Sequence, residues 1–179
     1  MASTTNKNSN PTIFIIFGGT GDLAKRKIIP ALYNLFLENR LPEKFAIIGT
    51  GRSKFTDVKY RTSLLEAINE FSRKGKAAKE DWSKFAANIT YQIANINDAN
   101  EYNEFQKTIL SLKEGWKEDA SVTYYCAVAP QFFCPIAENI SKSKLENNKE
   151  TTRIVIEKPF GRDLQSAKDL NAKLLTIFD

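Results

Sequence analysis

Five apolar residues in a row, Ile13-Phe14-Ile15-Ile16-Phe17, run straight into Gly18-Gly19-Thr20-Gly21-Asp22-Leu23-Ala24. A strand with one face in water alternates apolar and polar residues. An unbroken apolar run reads instead as a strand buried on both faces, the usual state in a parallel sheet covered by helices. Glycines at the exit of such a strand have separate uses. Gly18 can turn with φ > 0, and Gly21 presents no Cβ to a phosphate nearing the backbone. Ala24 is small enough to let the following helix pack closely on the strand. The turn is expected to leave backbone N–H groups free and to aim them, with the positive end of the helix dipole, at an anion. The spacing Gly-x-x-Gly-x-x-Ala departs from the strict dinucleotide fingerprint Gly-x-Gly-x-x-Gly, and a tight strand-to-helix turn with no ligand would fit the same letters.

The rest of the chain repeats this alternation. Pro30 sits where a helix interior would be broken, so the pattern predicts a short helical turn followed by a helix opening at Pro30, with Leu32, Leu35 and Phe36 inward. Phe45 to Ile48 is the second strand and ends in Gly49-Thr50-Gly51-Arg52. In a dinucleotide-binding unit a carboxylate at this point holds the ribose 2′-hydroxyl of NAD. No Asp or Glu occurs from Phe45 through Thr56, whereas Arg52 and Lys54 do. A guanidinium suits a 2′-phosphate, so the unit reads as binding NADP, against the alternative of a solvated loop charge.

Further helices are predicted over 57–74, capped by Thr56, over 80–87, and from Asn97 or Asp98 to a stop at Gly115. Further strands are predicted over 89–93, 122–128 and 153–157. A last helix follows Asp163, with Leu164, Ala167, Leu170, Leu174 and Ile177 inward. Five strands alternating with helices imply an α/β fold of the Rossmann type, a doubly wound parallel sheet with helices on both faces. The order 3-2-1-4-5 would place the switch point over the glycine turn, beside Ala127, Val128 and Pro130 at the end of the fourth strand.

Residues 1–11 are polar and lack an apolar signal segment, so they read as a disordered tail ahead of a dinucleotide-binding domain over 12–179. No apolar run approaches the ~20 residues of a membrane span. Residues 1–80 hold 14 Lys and Arg against 7 Asp and Glu, an excess that suits an anionic ligand. It is too diffuse, and too poor in interleaved aromatics, for a nucleic-acid surface. Cys126 and Cys134 form no metal or redox motif and read as buried free thiols of a cytoplasmic protein. The chain has no histidine, which excludes a histidine ligand or base within it.

Three stretches together resemble the glucose-6-phosphate dehydrogenase family. They are Gly18 to Leu32, with Gly-Asp-Leu-Ala-Lys at its centre, Gly51-Arg52-Ser53, and Arg-Ile-Val-Ile-Glu-Lys-Pro-Phe-Gly-Arg-Asp-Leu at 153–164. Ala129-Pro130-Gln131-Phe132-Phe133 is similar to the loop after the fourth strand in bacterial members. The resemblance implies oxidation of glucose 6-phosphate at C1 to the 6-phosphogluconolactone, with hydride transfer to NADP. Some members accept both coenzymes, which leaves NAD open. It implies that Gly18, Gly19, Thr20, Gly21, Asp22, Leu23, Ala24 and Lys25 hold the pyrophosphate and that Arg52 holds the 2′-phosphate. Ala127 and Pro130 would lie beside the coenzyme, and Lys158 would touch coenzyme and sugar phosphate alike. It also implies a homo-oligomer for the full-length enzyme. The family's catalytic His-Tyr-Leu-Gly-Lys-Glu stretch and its large substrate domain are absent from these 179 residues, so no catalytic residue is assigned and no turnover is expected of the chain alone. The competing readings are a stand-alone NADP-binding module and a Ser/Tyr/Lys oxidoreductase. The second is weakened by the lack of a Tyr-x-x-x-Lys pair.

Overall fold

The structure is a computed structural model and describes residues 10–145 and 150–178. The polar segment 1–9 and residues 146–149 of the loop before the fifth strand lie outside the described residues. Five strands, β1 (Thr12–Phe17), β2 (Phe45–Gly51), β3 (Ile89–Ile93), β4 (Ser121–Cys126) and β5 (Thr152–Ile156), form one sheet in the order β3-β2-β1-β4-β5. Every neighbouring pair is parallel. The helices are α1 (Ile29–Leu37), α2 (Asp57–Phe71), α3 (Lys79–Ala86), α4 (Tyr102–Trp116), α5 (Phe133–Lys142) and α6 (Leu164–Leu174). Pro11 is buried, and its carbonyl accepts from the Ser121 N–H at 2.8 Å, tying the entry to β1 against the start of β4.

The period of two in β1 divides the core. Ile13, Ile15 and Phe17 face Tyr102, Phe105, Phe133 and Ile136 of α4 and α5. Ile16 faces Ile29, Tyr33, Tyr60, Leu64 and Phe85 on the side of α1, α2 and α3. All of these side chains are 1% exposed or less, and burying one such side chain contributes about 1.5–3 kcal/mol. Both faces of β1 are therefore needed, which is why its sequence cannot alternate.

Three local expectations are corrected, at Gly115, Leu164 and Cys134. Pro30 stands in the first turn of α1, as expected. Helical residues run without a break from 22 to 37, with a π-helical turn over Ala24–Ile28. The Ile29 N–H donates to the Ala24 carbonyl, one residue further back than in an α-helix, and this wider turn makes room for the proline ring. Gly115 lies inside α4, and the left-handed terminal position is taken by Lys117 at φ +55°. Leu164 is 73% exposed because it stands in the first turn of α6, ahead of the turns that meet the core through Leu170 and Leu174. Cys126 is buried as expected, but Cys134 is only partly so.

Candidate functional site

The glycine turn joins β1 to the first helix at the C-terminal edge of the sheet. Gly18 has φ +80°, and a Cβ there would stand 2.4 Å from the Ala127 carbonyl oxygen and 2.9 Å from Val128 Cγ1. Conformation and space both demand glycine, and the residues just after β4 are packed on the turn. Ala127 is fixed there, its N–H donating to the Phe17 carbonyl at 2.9 Å. Pro130 is exposed and opens a short 3-10 turn, Pro130–Phe132, that leads into α5.

The N–H groups of the glycines themselves are engaged within the protein. Those of Gly18 and Gly19 both donate to the Thr50 carbonyl, at 3.0 and 2.9 Å, and that of Gly21 donates to the Gly18 carbonyl at 2.8 Å. These bonds clamp the turn to the end of β2. The donors without an acceptor among the described residues belong to Thr20, Asp22 and Leu23, at the start of the helix, where the first N–H groups have no intrahelical partner. Ala24 is fully buried, and the Asp22 carboxylate is exposed and 3.6 Å from Arg26. Lys25 makes no ion pair among the described residues.

Residues that local sequence did not single out complete the clamp. Tyr60 of α2 is fully buried and donates its hydroxyl to the Gly19 carbonyl at 3.0 Å. Burial pushes the Tyr60 hydroxyl pKa far up. Its ring lies on Gly49, where a Cβ would come within 2.1 Å of the hydroxyl oxygen. A glycine inside a strand marks such a close approach, and Gly49 carried that signal in the sequence.

Arg52 follows β2, is exposed, and has no hydrogen bond or ion pair among the described residues. Beside it, a Cβ on Gly51 would stand 3.1 Å from the Tyr91 hydroxyl and 3.5 Å from Thr20 Oγ1. The turn and the Arg52 bend thus share one small region. Tyr91, on β3, donates its hydroxyl to the Ser53 carbonyl at 2.9 Å. Nothing in the alternating edge strand marked it beforehand.

Lys158 follows β5 at the same edge of the sheet, is exposed, and precedes a cis peptide bond to Pro159. No hydrogen bond or ion pair joins it to the glycine turn among the described residues. The neighbouring Glu157 carboxylate accepts a short hydrogen bond from the Tyr125 hydroxyl. Burial, with Glu157 adding to it, pushes the Tyr125 hydroxyl pKa up to about 12. Tyr124 is fully buried, with its hydroxyl donating to the Leu145 carbonyl at 3.2 Å. Neither tyrosine is placed as an open proton donor, which counts against a Ser/Tyr/Lys site. No group of His, Cys, Asp and Glu with metal-binding geometry occurs among the described residues.

The strand order reverses at β1, and the glycine turn lies in the crevice outside the carboxyl ends of β1 and β4. This fold and this edge define a nicotinamide dinucleotide-binding domain of the Rossmann class. The domain family described as "Glucose-6-phosphate dehydrogenase, NAD binding domain" matches residues 15–179, and the chain belongs to that family. Glucose-6-phosphate 1-dehydrogenase of Streptococcus pneumoniae is 33% identical over 171 residues, which cover 96% of this chain and 34% of the relative. That of Rhizobium meliloti is 36% identical over 168 residues, covering 94% and 33%. A solved glucose-6-phosphate 1-dehydrogenase from Mycobacterium avium superposes with a TM-score of 0.81 at 32% identity, over 96% of this chain and 34% of its own. A glucose-6-phosphate dehydrogenase solved in complex with its substrate glucose-6-phosphate gives 0.83 at 30% identity, over 100% and 36%. The chain spans about a third of the length of the relatives it matches.

Proposed function

We propose that this chain is the NADP-binding domain of a glucose-6-phosphate 1-dehydrogenase, which oxidises C1 of glucose 6-phosphate to 6-phosphogluconolactone. The observation that carries the choice of NADP is Arg52. It is an uncommitted guanidinium at the end of β2, next in the chain to Gly51, which lies close to Thr20, in a segment without a carboxylate from Phe45 through Thr56. A carboxylate there would accept from a ribose 2′-hydroxyl, whereas a guanidinium pairs with a 2′-phosphate.

The residues fit a dinucleotide. Gly18, Gly19 and Gly21 keep the turn tight, leaving the N–H groups of Thr20, Asp22 and Leu23 for a pyrophosphate at the helix start, where the dipole favours negative charge. Ala24 holds the helix close and Lys25 adds positive charge. Ala127 and Pro130 would form the wall toward the nicotinamide. Lys158 would bridge coenzyme and sugar phosphate as a flexible point charge. The bound coenzyme supplies the hydride acceptor. This chain's part is to hold and orient it, since the chain contains no histidine to take the C1 hydroxyl proton. The reading extends to a cytoplasmic, homo-oligomeric full-length enzyme without nucleic-acid or membrane partners. Both cysteines are free thiols, and no helix among the described residues is long and apolar enough to cross a membrane.

Calorimetric titration of the chain with NADP and then NAD tests this reading. NADP should bind more tightly, and Arg52→Ala should weaken NADP about 10- to 100-fold while leaving NAD nearly unchanged, the range for a lost charge-assisted contact. Equal losses for both coenzymes would refute the 2′-phosphate role.

A further inference from the structure

Tyr91 is held from three directions. Its ring packs on Tyr60 and Phe55, with centroids 4.9 and 5.6 Å away, and those two rings meet each other edge-on at 6.4 Å. Its backbone N–H donates to Asp57 Oδ1 at 2.7 Å, at the start of α2. Its strand pairs with β2, and Tyr91 stands opposite Gly49. With ring and backbone fixed, the hydroxyl has one place to be. It donates to the Ser53 carbonyl, has the Thr20 side chain as a second hydrogen-bond partner, and stands 3.1 Å from where a Gly51 Cβ would lie. Gly51 and Ser53 are the two chain neighbours of Arg52.

We propose that Tyr91 is a positioning residue for coenzyme discrimination: its hydroxyl anchors the Gly51–Ser53 bend from below, so that Arg52 is presented toward the 2′-phosphate next to Thr20. This rests on the reading of Arg52 given above. The hydroxyl acts through the bend. Arg52 itself makes no hydrogen bond or ion pair with the described residues, so the bend is the means of aiming it. A carbonyl left without this donor lets the bend turn and spreads the guanidinium over more orientations.

Tyr91→Phe removes the hydroxyl and keeps the ring that packs on Phe55 and Tyr60, so the fold is retained, as a single cooperative urea transition of unchanged slope would verify. NADP affinity should fall about 3- to 10-fold, the range for one hydrogen bond, with NAD affinity unchanged. Adenosine 2′,5′-bisphosphate should follow NADP, and adenosine 5′-monophosphate should follow NAD. A general loosening of the site would weaken both pairs alike and would leave the NADP-to-NAD ratio where it was. That outcome, found while Arg52→Ala lowers the ratio, overturns the role of Tyr91 and leaves the coenzyme reading standing. A ratio that Arg52→Ala also fails to move overturns the coenzyme reading, and the role of Tyr91 with it.

Discussion

Tyr60 does two things to the glycine turn. Its hydroxyl holds the Gly19 carbonyl, and its ring occupies the space that a side chain at Gly49 would need. A Cβ on Gly49 would lie 2.1, 2.4 and 2.7 Å from three atoms of that side chain, and Tyr60 is fully buried with no room to swing. Gly49→Ala should therefore destabilise the chain by at least about 1–3 kcal/mol, the usual cost of overpacking. The urea midpoint reads this directly, and an unchanged midpoint would mean that α2 yields more easily than its packing indicates. Single residues differ in how far the sequence reveals them. Gly18 and Arg52 announce themselves because a strand-exit glycine and an absent carboxylate are local facts. Tyr60 and Tyr91 do not, because each acts across elements, 41 residues from Gly19 and 38 from Ser53. Only the register of β3 on β2 and the seating of α2 bring them to the site.

Among the elements, the strands were legible and the helix ends were less so. A run such as Ile13 to Phe17 has one reading once helices flank it, and the order β3-β2-β1-β4-β5 is one of the doubly wound arrangements that right-handed crossovers permit. Gly115 misled because it was judged by propensity alone. The π-helical turn absorbs the missing N–H and the ring of Pro30 within one continuous helix, so the helix that begins at the turn keeps its length behind the glycine turn. Gly115 is tolerated inside α4 at a cost to the helix. A Cβ there meets nothing within 4 Å, and its φ is not positive. Gly115→Ala should accordingly stabilise the chain by about 0.5–1 kcal/mol through the reduced freedom of the unfolded state. A rise in the urea midpoint with an unchanged slope is the expected result, and a fall would place an unseen constraint at the end of α4.

For the molecule as a whole, two core layers enclose the sheet, and the chemistry is confined to the edge where its strands end. That edge supplies donors, a guanidinium and a lysine, all suited to holding phosphates, and little that could move a proton. Removing the C1 hydroxyl proton near neutral pH calls for a positioned base, most often histidine, and the chain has none. Two carboxylates at the edge are already engaged, Asp22 with Arg26 and Glu157 with the Tyr125 hydroxyl. Binding and turnover should therefore separate in this chain. The purified 179 residues, mixed with NADP and glucose 6-phosphate, should bind NADP by calorimetry and form no NADPH by absorbance. The calorimetric arm gives the negative result its meaning, because a chain that fails to bind would fail to reduce for a different reason. NADPH formation above the rate without enzyme would show that a carboxylate or lysine of this edge can serve as the base, and Glu157→Gln and Lys158→Met would then separate the two.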